Sequence, residues 1–509
     1  MRSLGLARKG APWRAVGNRT DHDQADGRMR GAQVTARVAL GGSTMKVLQV
    51  LTLTVLLAVA LVMPRSIGPV GAAVIWVLCV VVVARSQAHG VLSFACLYLL
   101  LVGIFHLGLV APISLGLTRV DHPPWLSSRY LSLALGLVTT AVVSFTLGVR
   151  MASRRDDLAR VEAHTEPQPE LFLVGLLVAV AGGGILWVGV VNLDVLSSGY
   201  GTYFERMVTG DVRFVWFGLM LFPIGLLVAA VGATRRQMML LTALLIAALG
   251  PLFFKGFRGP VLVQAAALLA VWAHKDRRVA RRVGLVVLAA ALVLAPGIRV
   301  ARDLDAEALS PGVGSIDPVS VLYEAGGSLY PLVVTAERIG GGAEDPWMGR
   351  SYAMAAGRIV LNVSSRRSED RALTPSAWAT LHADTWAFEH GYGIGFSGVA
   401  EPYLNFGHAG VAIFFLFLGA LMHRWEGWLS RDPFRAAIGA ASFGFLLWTV
   451  RNDVMDVFRA MALASVTVLV AWAAVGLRRP GLAPAISADP VQPRDTGEAQ
   501  AGAGCDANA

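Results

Sequence analysis

The chain has 509 residues, 55% of them apolar and only 15% charged, with a mean hydropathy of +0.59. Soluble globular chains carry about 25% charged residues, so the composition nearly excludes an ordinary cytosolic enzyme, and the apolar content excludes a disordered chain. Net charge is +10, and only four of the 44 cations are lysine; guanidinium suits bidentate phosphate recognition, although a GC-rich genome gives the same bias.

Long apolar runs organise the sequence. A membrane helix needs ~20 apolar residues. Twelve candidate spans fall at roughly 46–63, 66–84, 90–112, 129–149, 171–191, 213–232, 238–254, 257–273, 283–298, 404–422, 434–450 and 459–477. No repeat period is visible. Cys79, Cys96 and Cys505 build neither a disulfide framework nor a metal cluster.

Basic residues orient the spans. Starting from a cytoplasmic N-terminus, one side collects Arg150, Arg154, Arg155 and Arg160, then Arg235 and Arg236, then Lys275, Arg277, Arg278, Arg281 and Arg282. Arg424, Arg431 and Arg435 follow, and then Arg478 and Arg479. Every basic cluster between spans falls on that side, which predicts an all-α polytopic protein with both termini cytoplasmic. The organisation expected is an Arg-rich disordered arm (1–44), spans one to nine (45–298), an outer loop (299–403), spans ten to twelve (404–477) and a disordered tail (478–509). The arm lacks a cleavable secretory pattern; it reads equally as sequence upstream of a true start at Met45.

The outer loop is too long for a passive connector. It carries Trp347, Trp378 and Trp386 and helix-like stretches at Pro318–Arg338 and Tyr352–Leu361, so a folded, partly helical cap is expected. Cations mark three outer helix ends: Lys255 and Arg258 beside glycines, Arg299 and Arg302 three apart, and Arg451 and Arg459. Arg299 and Arg302 share a face if the helix continues. Brought together, these groups make an anion site. Separately, Lys255 and Arg258 would snorkel to headgroups, and Arg299 and Arg302 would pair with Asp303 or Asp305. Acid–base candidates are Glu324, His382, Asp384, Glu389, His390 and Glu401. His382-Ala383-Asp384 has a metal-ligand spacing but lacks an obvious third ligand. No strand precedes the glycines at 391–395, so a dinucleotide site is not expected.

Ser397, then Glu401-Pro402-Tyr403-Leu404-Asn405-Phe406-Gly407-His408-Ala409-Gly410, enters the tenth span. This stretch closely resembles a signature of the O-antigen polymerase (Wzy-type) repeat-unit polymerases. The Lys-Gly-Phe-Arg-Gly turn at 255–259, the Arg-x-x-Arg at 299–302 and Glu324 with its Gly-Gly-Ser are also similar to elements of that family. The resemblance covers about 240–460, and the first half matches only as a multi-span pattern. It implies a helical membrane fold akin to the C-type glycosyltransferases. It also implies transfer of an undecaprenyl-diphosphate-linked glycan onto the nonreducing hydroxyl of an incoming lipid-linked repeat unit, at the outer face of the cytoplasmic membrane. Neither nucleotide sugar, cofactor nor metal is expected, and no nucleic acid. A chain-length regulator and a repeat-unit flippase are the partners implied.

Joined to that chemistry, Arg258, Arg299, Arg302 and Arg451, assisted by Lys255, are expected to grip the diphosphate. Glu401 or Glu324, with His382 third, would take the acceptor's proton. Tyr403, Asn405 and Ser397 would bind sugar or simply pack. Three rivals stand: an O-antigen ligase-like transferase, which needs a foreign acceptor; a transporter or lipid flippase, which would place charges near mid-membrane; and a non-catalytic scaffold.

Overall fold

The computed structural model describes residues 46–117, 123–153, 167–193, 213–254, 258–287, 325–361, 374–390, 393–429 and 432–477. Every regular element among them is helical. In chain order these are α1 (Lys46–Val62), α2 (Pro69–Ser86), α3 (Phe94–Leu107), α4 (Val110–Ser114), α5 (Leu131–Ala152), α6 (Pro169–Asn192), α7 (Arg213–Gly232), α8 (Arg235–Phe254) and α9 (Arg258–Lys275). There follow α10 (277–287), α11 (Leu329–Gly340), α12 (Arg350–Leu361), α13 (Pro375–Ala383), α14 (Thr385–Glu389), α15 (Ala400–Trp428), α16 (Pro433–Leu446) and α17 (Val454–Leu477).

Local chemistry sets the helix starts. Proline stands in the first turn of α2, α6, α13 and α16, where its missing N–H costs nothing. Side chains of Ser93, Thr374, Asp384 and Asp432 accept from free first-turn N–H groups of α3, α13, α14 and α16.

Eleven of the twelve expected spans coincide with described helices, and the ninth is described only to residue 287. Eight described helices are long and apolar enough to cross a membrane. The chain is thus a polytopic helical membrane protein. Within the expected cap, α11 takes the C-terminal part of the first helix-like stretch and α12 covers the second.

Close backbone approach organises the bundle. Gly175, Gly182 and Gly189 on α6 lie against α7, and Gly218, Gly225 and Gly232 on α7 lie against α6 and its entry, in antiparallel register; a Cβ at Gly175 or Gly225 would overlap the backbone of Ala229 or Ala179. Seven residues are close to two helical turns, so each glycine set lies on one face. Small residues let membrane helices pack backbone to backbone. This period of seven is the repeat that the sequence alone did not reveal; Gly183, which meets only the Phe222 ring, and Gly184, which faces away from the contact, mask it.

Helix α5 is buried over nearly its whole length and forms the centre. It runs parallel to α15: Leu133 lies beside Tyr403 at one end, and Gly148 meets the Leu416 backbone further along. The ends expected to be basic and cytoplasmic meet in pairs. Lys46 donates to Ser153 O, Lys275 Nζ donates to Val231 O at 2.9 Å, and Arg235 pairs with Asp276 at 3.5 Å. We call this the basic end, and the opposite one, where α15 begins, the signature end.

Candidate functional site

Ser397, Glu401 and Asn405 recur at intervals of four, so the helical part of the signature presents one face. Each is fully buried and holds another part of the chain against this stretch. Ser397 Oγ accepts from the N–H groups of Val399 (3.1 Å) and Ala400 (3.3 Å) and donates to His106 Nε2 on α3 at 2.7 Å. His106 Nδ1 lies 2.9 Å from Val102 O and so carries the ring proton, which leaves Nε2 as the acceptor.

Glu401 uses both oxygens. Oε1 accepts from Ser351 Oγ at 2.7 Å and Oε2 from the Val454 N–H at 2.8 Å. Asn405 Nδ2 donates to Ser351 Oγ and to Glu401 O, both at 2.8 Å. The backbone carbonyls of Leu404 and Asn405 accept from Trp347 and Met348, each at 2.9 Å. Glu401 and Asn405 therefore clamp the 347–351 turn, where Met348 has φ 51°, and the start of α17 onto α15.

The Arg451 link is pinned from both sides: Phe396 N–H donates to Arg451 O at 2.8 Å, and Val454 N–H reaches Glu401. The Arg451 side chain is exposed at this end. Beside it, buried Asp453 accepts from Ser376 N–H (3.3 Å) and Met455 N–H (3.2 Å). Burial, and then the neighbouring Asp456, push its carboxyl pKa up.

Another face of the signature opens outward. Tyr403 and His408 stand edge to face at 5.3 Å and line a pocket of about 450 Å³ with Arg65, Ser66, Leu133 and Gly340. Arg65 comes from the short Pro64–Ser66 turn between α1 and α2. A guanidinium, a phenol and an imidazole around one cavity can bind an anionic group and a sugar ring.

The other sequence candidates fall as follows. His382 Nε2 lies 3.1 Å from Glu344 Oε1, which also takes Arg338 at 2.9 Å, while Trp378 Nε1 donates to Glu344 Oε2 at 3.0 Å. Burial and Arg338 lower the His382 pKa against the opposing pull of Glu344. The structure thus brings His382 to a carboxylate within the cap. Asp384 caps α14, and Glu389 and His390 are exposed. Lys255, Arg299, Arg302 and Glu324 lie outside the described residues, and of Arg258 only the backbone is described, at the start of α9. Sequence reasoning missed Arg65, His106, Ser351 and Asp453. A cation in a two-span turn and a lone histidine in an apolar helix were faint signals for the first two; Ser351 offered none.

The family profile described as O-antigen polysaccharide polymerase Wzy matches residues 45–477, which spans the whole apolar part of the chain. No curated protein and no solved structure matches it. With the signature folded into one bracket and the profile covering most of the sequence, the chain belongs to the Wzy O-antigen polysaccharide polymerase family, glycosyltransferase-like membrane polymerases of lipid-linked oligosaccharide repeat units.

Proposed function

We propose that this chain joins undecaprenyl-diphosphate-linked repeat units at the outer face of the cytoplasmic membrane, with its signature end outward and both termini cytoplasmic. The basic end supplies the orientation, because lysine and arginine accumulate on the cytoplasmic side. In the reaction, the acceptor hydroxyl oxygen bonds to the donor's anomeric carbon. The bond from that carbon to the diphosphate oxygen breaks, and the electron pair leaves with the lipid diphosphate. The hydroxyl proton passes to a protein carboxylate. A repeat-unit flippase and a chain-length regulator would supply and limit the substrate.

The pocket that joins Arg65 to Tyr403 and His408 carries this reading, because it sets an exposed guanidinium beside the signature. Guanidinium groups held in place stabilise the charge that builds on the leaving oxygen. Arg65 joins Lys255, Arg258, Arg299, Arg302 and Arg451 in that role, with no metal required. Arg65→Ala should cut polymerisation by ~10²–10³-fold, the usual effect of losing one such donor. Cells carrying it should accumulate short lipid-linked repeats, as a gene deletion should too, while the protein still inserts. Wild-type chain length in Arg65→Ala would remove the pocket from the mechanism.

For the proton acceptor we favour Glu324. Glu401 has both oxygens engaged, and His382 is held by Glu344. The turn that follows Glu324 in sequence packs Gly326 on Leu109, just past the end of α3 that carries His106. Glu324→Gln should abolish polymer without moving the thermal midpoint of the purified protein. Retained polymer in that variant would return the role to another group.

A further inference from the structure

A second cluster of functional side chains lies at the basic end. His89 stands in the turn before α3, His274 in the last turn of α9, and Glu426 near the end of α15. One ligand atom from each lies within 4.8 Å of the other two, and His274 Nε2 is 3.9 Å from Glu426 Oε1. The centres of the two imidazole rings are 3.8 Å apart, with the rings tilted by 41°.

Hydrogen bonds decide which atoms are free. His274 Nδ1 donates to Ala270 O at 2.9 Å, and His89 bonds to the Ala273 carbonyl. Each ring therefore carries its proton on the side facing the backbone and keeps the other nitrogen as an acceptor. Glu426 Oε2 accepts from the Phe94 N–H at 3.2 Å, which leaves Oε1. Among the described residues, His89 Nε2 and Glu426 Oε1 are buried with no hydrogen-bond partner. Three lone pairs thus converge with no donor between them among the described residues, while the opposite atom of every ligand is held by backbone. That second layer is what orients metal ligands and fixes the histidine tautomer.

We propose that His89, His274 and Glu426 bind a divalent transition metal of the zinc type, which staples the entry of α3 to α9 and α15. Two histidines and a glutamate form a known zinc donor set with an open fourth position. Tetrahedral ligands at ~2.1 Å stand about 3.4 Å apart, so small side-chain movements close the site. Lys275 Nζ donates to Val231 O, and Arg277, over Gly90, is near enough to act on His89; these neighbouring cations oppose a metal's charge, so affinity rests on ligand geometry. Along α3, His106 stands ~18 Å from Phe94 at 1.5 Å per residue. The metal is thus remote from the signature and serves stability, independently of the proposed reaction.

The test is elemental analysis of the full chain, purified in detergent without a polyhistidine tag and dialysed after loading with Zn²⁺. One ion per chain is expected, with cobalt(II) giving a tetrahedral visible spectrum in its place. His274→Ala and Glu426→Gln should fall to background, and chelator should lower the thermal midpoint of the parent protein but not of these variants. His423→Ala, which removes a nearby imidazole bonded to Gln87 Oε1 at 3.1 Å, should keep the ion. A loaded parent chain that retains no metal, and whose melting is unmoved by Zn²⁺ and by chelator, overturns the proposal even if the variants fail to fold; it would mean that protons or water fill the cluster.

Discussion

Glu401→Ala should dismantle the signature end before it touches chemistry. The change leaves the buried Ser351 hydroxyl and the Val454 N–H without their acceptor. Each such loss costs ~1–3 kcal/mol, and the space vacated by a fully buried side chain adds to it. The total is a large share of the ~5–15 kcal/mol that holds a typical fold. Expected are a clear fall in thermal midpoint, poor recovery from detergent extraction and no long polymer. Glu401→Gln is the informative partner. Its amide oxygen still accepts from Val454, and its NH₂ reaches Ser351 Oγ, so most polymer and most stability should survive. A glutamine variant that melts like the parent yet makes no polymer would instead put the Glu401 charge into the reaction.

Gly225→Leu should be the most damaging single change far from the pocket. A Cβ at that position overlaps the Ala179 backbone, so α6 and α7 must separate along their whole contact. Overpacking usually costs ~1–3 kcal/mol. Here the obstacle is main chain rather than a side chain that can turn away, which puts the cost at or above the upper end. Size-exclusion profiles should show little monodisperse protein. Gly184→Leu is the control, because among the described residues nothing lies within 4 Å of a Cβ placed there; it should behave as the parent does. Equal behaviour of the two variants would show that the glycine register does not hold the pair together.

The spans were legible because apolar length and the sidedness of cations are properties of contiguous sequence. The α6–α7 register was not, because glycines at the contact are diluted by glycines off it. Ser397, Glu401, Tyr403 and Asn405 stood out as residues of a signature, but their division of labour depends on what each face meets. Ser351 and the Val454 N–H consume the Glu401 carboxylate, and nothing near 351 or 454 in the chain announces that pairing. The same holds for His89, His274 and Glu426, which three distant stretches deliver to one place. Arg65 stood among residues of an ordinary helix turn, and only the fold sets it against Tyr403 and His408.

Helix α3 is fastened at both ends to α15, by Phe94 N–H to Glu426 and by His106 to Ser397. A straight run from Ser397 to Glu426 at 1.5 Å per residue would cover ~43 Å, more than that short strut and its side chains can reach. The break at Gly407, with φ 65° and ψ −155°, takes up the excess. It also sets a depth. If the Glu426 level marks one face of the ~30 Å hydrocarbon layer, His106 and Ser397 stop short of the other face by ~10 Å. On the proposed reaction, the diphosphate would then meet the signature below the far surface of that layer, where a positive charge acts with less screening than at the water line.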